Sequence, residues 1–398
     1  MRVCAAVLVL ASGCDGWVDA EPEPAREVDA GAAPVDAGEI VDAGAPEPDA
    51  GQPVIDAGPA ELDAGHQPVV VDAGAPIPDA GQPARRVPVL VAQGRFGRTA
   101  ISCDDGLTWV NDRDESGGLR CGEAPNVECF HHAWAPMGIV QAGDAVVATW
   151  GWGAQPGRLR RTLDGVTWQD VMPSSNAAGI AAGAGRVVLA ASPARISTDD
   201  GATWSGGGTP DTQGGVLRHA GFAGRFIFTQ DERIHVSDDG VTWRSPPSPA
   251  GCPGPSMGLL THDRTALIVQ YGGRVCVTTN AGDTWQLVNV APAFTTRGVW
   301  ANGAFFVWNG STRYRSTDGL QWSSTPSPND LAIGAVAVTR AGTFVAFKGG
   351  WQSDYENERV YRSADGVTWS TVPAAGHAHS HPITSLISAE LQASSLCP

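Results

Sequence analysis

Seven side chains with the oxygen chemistry of acids and amides recur in one local pattern: Asp104, Asp164, Asp199, Asp239, Asn280, Asp318 and Asp365. Each stands two residues after a Ser or Thr and one or two before a Gly, with a Trp three residues beyond that Gly. Carboxylates so placed offer three chemistries: proton transfer, metal ligation, or capping of the N–H groups of a tight turn. The Gly supplies a positive φ or close backbone approach, and the Trp a ring to bury beside the turn. Turn chemistry accounts for every position, so the seven are read as structural and no catalytic residue is assigned. Other groups carry sharper possibilities. His377, His379 and His381 lie at period two, on one face if extended, and would suit copper or zinc. The competing reading, a polar loop leading to a last strand, is preferred, and neither a metal nor a cofactor is expected. His131-His132 is a second such cluster. Asp231, Glu232, Asp354 and Glu356 are loop acids that could form a glycosidase-type pair, but loop acids are ordinarily solvated surface.

The elements that position these turns follow from their spacing. Gly-to-Gly intervals are 59, 36, 39, 42, 37 and 47 residues, a period near 40 that marks a propeller with one four-stranded blade per repeat. Between turns run apolar second strands: Val87–Ala92, Ala145–Trp150, Arg186–Ala191, Arg225–Thr229, Thr265–Tyr271, Ala304–Trp308 and Thr343–Phe347. Each from the second onward follows an inner-strand candidate, such as Gly138–Ala142 or Gly334–Val338. The first repeat lacks one, and Pro382–Leu391 is a spare strand with no turn after it. Joining the two predicts an all-β, seven-bladed propeller of antiparallel blades over residues 85–398, closed by the C-terminal strand.

The repeated motif, with Ser102-Cys-Asp-Asp-Gly-Leu-Thr-Trp109 as its first copy, resembles the Asp-box, also called the BNR repeat, of sialidase-like propellers. The resemblance covers about residue 86 to the C-terminus. Four copies lack the spacer between Asp and Gly, and the sixth has Gln321 where Thr is usual. It implies that the boxes share one rim and that ligands enter from the opposite one. There the aromatic candidates for sugar stacking or protein anchoring are Phe96, Trp152, Tyr271, Trp351 and Tyr355. Trp150, Trp300 and Trp308 are expected to pack between blades. Sialidases add an arginine cluster, a Tyr–Glu nucleophile pair and an Arg-Ile-Pro signature. This chain lacks the signature and has four tyrosines; Arg95, Arg98 and Arg297 are the arginines that could converge. The expectation is therefore a non-catalytic module that binds a glycan or protein, with an envelope glycoside hydrolase as the alternative.

Charge divides the chain. Residues 15–84 hold sixteen acids against Arg26, and residues 85–398 hold 26 acids against 24 basic residues. A nearly neutral body without a basic stripe excludes nucleic acid as partner. In the acidic segment Asp-Ala-Gly recurs eight times among Pro and Ala, a composition with too little apolar surface to offset ordering entropy. Residues 14–84 are thus expected to form a disordered tether, about 50 Å in r.m.s. reach as a coil of about 70 residues. Before it, Met1-Arg2, an apolar run and Leu10-Ala11-Ser12-Gly13-Cys14 resemble a lipoprotein signal covering residues 1–13, with Cys14 as the lipidated residue. That implies export to a bacterial cell envelope and membrane attachment through lipid, and a monomer is expected. Six cysteines then remain, which allow fifteen pairings. The strand assignments favour Cys252 with Cys276, Cys121 with Cys129, and Cys103 with Cys397.

Overall fold

The computed structural model describes residues 85–115, 135–151, 157–174, 179–210, 217–230, 233–294, 296–328, 331–349, 359–372 and 382–398. Residues 1–84, where a signal and a tether are expected, lie outside the described residues with Cys14, as do Cys121 and Cys129. Seven antiparallel sheets account for every described strand. In order around the ring their inner strands are Ile383–Gln392, Ala135–Ala142, Ile180–Gly183, His219–Phe222, Ser256–His262, Val299–Ala301 and Ile333–Val338. These define blades 1 to 7. The second strands are Arg86–Gly94, Ala145–Gly151, Arg186–Leu189, Phe226–Thr229, Thr265–Gln270, Ala304–Asn309 and Phe344–Lys348, within a few residues of the expected runs.

Why those strands read as unbroken apolar runs is visible in their burial. Ala145–Gly151 is buried at all seven positions, because each face of a blade packs on a neighbouring blade. The core is correspondingly divided. Seven hydrophobic clusters each fill the space between two adjacent blades, one per interface around the ring. The interface between blades 7 and 1 is as apolar as the rest: Val345, Phe347 and Val360 pack on Leu90, Ala92, Trp109 and Leu386. Outer strands such as Ser323–Pro326 are short and exposed. Blade 4 departs from the four-stranded expectation. Its outer strand shrinks to one bridge, in which Val236 and Arg244 exchange backbone hydrogen bonds of 2.8 and 3.0 Å.

Closure is made by the last strand. Ile383–Gln392 pairs antiparallel along the whole of Arg86–Gly94, from Arg86 opposite Gln392 to Gly94 opposite Ile383. A closed ring leaves no inner edge unpaired. Both ends of the body therefore meet: Ala393 N–H donates to Arg85 O at 2.7 Å, and Gln392 N–H to Leu163 O at 2.9 Å. Cys103 is bonded to Cys397, with Cα atoms 5.5 Å apart, joining the first repeated turn to the chain just beyond the closing strand.

Candidate functional site

The repeated turns all connect third to fourth strands and share a face with the turns between first and second strands. They come in two builds. In the first, third and fifth, a spacer residue (Asp105, Asp200 or Ala281) takes a positive φ of 57–59° before the Gly. Asp104 Oδ1 then accepts the Thr108 N–H at 2.9 Å, and Oδ2 the Thr108 hydroxyl at 2.6 Å. In the four without a spacer, one oxygen takes two successive N–H groups: Val166 at 2.8 Å and Thr167 at 2.7 Å on Asp164 Oδ1. This explains Gln321, whose backbone N–H donates to Asp318 at 2.9 Å, so no hydroxyl is needed. In both builds the Ser or Thr hydroxyl donates to the acid and accepts the Gly N–H, as Ser102 does. Asn280 completes the set with its amide, whose Nδ2 donates to Thr284 Oγ1 at 2.9 Å.

These bonds fix the charge state. The Thr203 hydroxyl and N–H, with Ser197, hold Asp199 down at about 2. The N–H groups of Thr242 and Val241 lower Asp239 in the same way. Acids held ionised within their own turns are poor proton donors. Arginines then tie the carbonyls of four of the turns to the blade before them. Arg161 donates to Asp200 O at 2.9 Å, Arg362 to Asp105 O at 2.8 Å, and Arg313 to Asp365 O. Arg225 bridges Asp238 and Asp283, each at 2.6 Å. The body's chain also enters here, where Arg86 pairs with Asp144 at 2.8 Å.

On the opposite face two of the five aromatic candidates are described. Phe96 sits in the turn after Arg86–Gly94 with φ 52° and is 9 % exposed, so its ring is closed off from ligand. Tyr271 is the reverse, 57 % exposed at the tip of blade 5. Its support is stiff. Its N–H donates to Pro255 O at 3.2 Å, and Gln270 Nε2 donates to Gly251 O at 2.8 Å. Between them the Cys252–Cys276 disulfide pins the incoming segment to the third strand. Trp152, Trp351, Tyr355, His377, His379, His381 and the four loop acids lie outside the described residues. Among the described residues no group of three or more His, Cys, Asp or Glu is placed to hold a metal.

The arginines do not converge as a set. Arg98, in blade 1, is committed to Asp112 through two bonds of 2.8 Å, with the side chains 1 % and 6 % exposed. Arg297 instead immediately precedes the inner strand of blade 6 and borders the central channel. Trp150 and Trp308 pack between blades as expected, their indole N–H groups donating to Gly94 O and Gly366 O at 2.9 and 2.8 Å. Trp300 also reaches a neighbouring blade, its ring stacked on His262 at 3.7 Å, but it lines the channel as well.

That channel, about 470 Å³, is bordered by all seven inner strands. Glycines let those strands approach: a Cβ at Gly179 would stand 2.4 Å from Ala220 N, and one at Gly258 3.0 Å from Arg297 Cβ. Its wall is largely apolar. Among the described residues that line it, Arg297 alone carries a permanent charge. Burial pushes the Arg297 guanidinium below its ordinary value, with Tyr271 opposing. Ser385, on the closing strand, lines the same channel, and its buried hydroxyl has no hydrogen-bond partner among the described residues. Sequence reasoning named Arg297 only as one of three arginines and missed Ser385. Isolation of a polar group is a tertiary property with no local signal.

No family model and no curated protein matches the chain. Among solved structures it is similar to YCF48 bound to D1 peptide, at 14 % identity and TM-score 0.46, over 59 % of this chain and 81 % of that one. It is similar too to virginiamycin B lyase from Staphylococcus aureus, at 12 % identity and TM-score 0.49, over 65 % and 88 %. A third likeness is to the GH74 enzyme of Niastella koreensis, at 18 % identity and TM-score 0.45, over 60 % and 37 %. These are distant likenesses of fold. The chain's own strand pairing defines it as a closed seven-bladed β-propeller.

Proposed function

We propose that this is an exported lipoprotein of a bacterial cell envelope, whose propeller binds a glycan or protein without catalysis, on the face opposite the repeated turns. The observation that carries the reading is Tyr271. A large aromatic ring more than half exposed, on a turn braced by a disulfide and two hydrogen bonds, loses little entropy when it is covered. In the sequence Trp152 and Trp351 fall between the second- and third-strand segments of blades 2 and 7, the kind of connection that carries Tyr271 in blade 5. The chain enters the body beside Gln392 and Leu163, among the repeated turns, which leaves the other face remote from the point of attachment. A lipid on Cys14 and the acidic segment behind it supply the anchor and the spacing.

The test is a glycan array probed with the full chain, run beside a panel of chromogenic glycosides. Binding that Tyr271→Ala abolishes, with no glycoside turned over, is the expected result. Turnover of any glycoside overturns the non-catalytic reading. Attachment is read separately: Cys14→Ser should release the protein from the membrane fraction, and unchanged partitioning refutes lipidation.

A further inference from the structure

We propose that the mouth of the central channel, on the face opposite the repeated turns, is an anion site that takes a carboxylate carried on an apolar chain. The Arg297 guanidinium holds the carboxylate, Ser385 adds a hydroxyl donor, and the channel wall receives the chain. This goes beyond the rim reading and does not depend on it, since Tyr271 can bind a partner whether or not the channel is filled.

Three observations fix the ligand's chemistry. Sign comes first: Arg297 is the lone permanent charge among the described lining residues, and no acid among the described residues pairs with it. The most buried arginines of the blades have their carboxylates, as Arg98 has Asp112 and Arg160 has Asp170 at 3.0 Å. A guanidinium stays charged in any protein, and Arg297, half-buried at the channel and without a partner among the described residues, is solvated less fully than in open water. An anion entering the channel would offset that loss.

Valence comes second. One guanidinium balances one negative charge, and its planar fork matches the two oxygens of a carboxylate. A phosphate monoester would bring a second charge into an apolar wall with nothing to neutralise it. The Ser385 hydroxyl, 8 % exposed and without a partner among the described residues, is a neutral donor that fits the first case. Ser385 faces Gln93 in the register of blade 1, near the end of the closing strand farthest from the repeated turns. Arg297 precedes its own inner strand at that same end.

The body of the ligand follows from the wall. Below the mouth the channel is lined by Ile139, Leu259, Leu260, Val336, Leu386 and Ile387. A cavity of about 470 Å³ lies within the range of small-molecule sites and has room for a medium-length alkyl chain. Arg297 is also positioned firmly, its stem lying against Gly258, where a Cβ would meet Arg297 Cβ and Cγ at 3.0 Å. The charge is thus presented at a fixed place and does not sweep through solvent.

The test is calorimetric titration of the full chain with octanoate, and in parallel with butyrate, octanol and inorganic phosphate. Octanoate is expected to bind at one site, butyrate more weakly, and octanol and phosphate not at all. Arg297→Met should weaken octanoate by about tenfold or more, while Arg297→Lys, keeping the charge and losing the fork, should fall between. Ser385→Ala should cost a few-fold. Melting curves confirm that each variant is folded, and the Lys variant serves if the Met variant is not. Equal octanoate affinity in wild type and either Arg297 variant overturns the proposal. So does octanol binding as tightly as octanoate, phosphate binding in its place, or no octanoate binding at millimolar concentration. A channel that binds octanoate while Tyr271→Ala leaves glycan or protein capture intact would defeat the rim reading and spare this one.

Discussion

The two faces of the propeller are built on opposite rules. On the face of the repeated turns the acids and the turn N–H groups answer one another, acid by hydroxyl and N–H, and four turn carbonyls take an arginine of the preceding blade. The indole N–H groups of Trp109, Trp168 and Trp285, however, are buried without an acceptor among the described residues. The set of hydroxyl, acid and N–H recurs seven times, with two builds and one amide in place of an acid. On the other face the described residues show no such repeated set: they include an exposed Tyr271, and Arg297 and Ser385 without a side-chain partner among the described residues. The contrast separates what a repeat must conserve in order to fold from what it is free to vary.

The sharpest way to break the contrast is at its seam. Deleting residues 382–398 removes no residue of the seven Asp/Asn–Gly turns, though it takes Cys397 from its bond to Cys103 in the first, and it strips the inner strand from blade 1 and exposes the apolar faces of blades 7 and 1. The loss should far exceed the roughly 0.5–3 kcal/mol of a point mutation, and soluble yield should collapse. An unchanged melting midpoint would refute closure. Next comes the Cys103–Cys397 bond, which spans 294 residues, whereas Cys252–Cys276 spans 24. Cys103→Ser should cost about 2–5 kcal/mol, and loop entropy places it above Cys252→Ser by about 2 kcal/mol in chemical denaturation. A larger effect at Cys252 would mean that the turn carrying Tyr271 contributes to folding, against the contrast drawn here.

Smaller effects test each face by itself. Asp318→Ala leaves the Leu320 and Gln321 N–H groups without their acceptor and should cost about 1–2 kcal/mol in the same assay. Asp199 supplies a pH test. Its folded value, about 2, lies below that of an unfolded carboxylate, so its contribution is complete above the unfolded value and fades as pH falls toward 2. Asp199→Asn, imitating Asn280, should therefore flatten part of the acid-induced fall in melting temperature while changing little at neutral pH. A variant as acid-labile as wild type contradicts the assignment. Smallest of all, Tyr271→Ala should move stability by no more than about 0.5 kcal/mol while removing capture of the partner.

Much of this fold could be read from the chain, and the reasons are specific. Asp, Gly and Trp keep fixed offsets because each turn needs all three, and the second strands announce themselves because both of their faces are buried. The closing strand, expected at Pro382–Leu391 and found at Ile383–Gln392, stood out as an apolar run without a turn to follow it. Blade 4 was harder. Its outer strand is one bridge, and a single pair leaves no periodicity to detect. Phe96 was taken for a rim aromatic because a turn position says nothing about which way a ring folds, and here it folds inward. The channel was least legible, since it is assembled from seven strands separated by some 40 residues each, and Ser385 becomes conspicuous only once its neighbours are known.

The pairing of Arg86 with Gln392 has a mechanical consequence. Any load passed along the chain from before residue 85 arrives at the end of a strand bonded on both sides, to Ile383–Gln392 and to Thr99–Ser102. Pulled along its axis, Arg86–Gly94 must shear both ladders together, because no free edge lets the bonds open one at a time. The Cys103–Cys397 bond lies beside the grip point and staples the strands on either side of the loaded one to each other. Forced unfolding is governed by the rate of crossing such a barrier and not by equilibrium stability. Drawn out by its N-terminus, the body should yield at one high force, and reduction should lower that force before it changes anything on the far face.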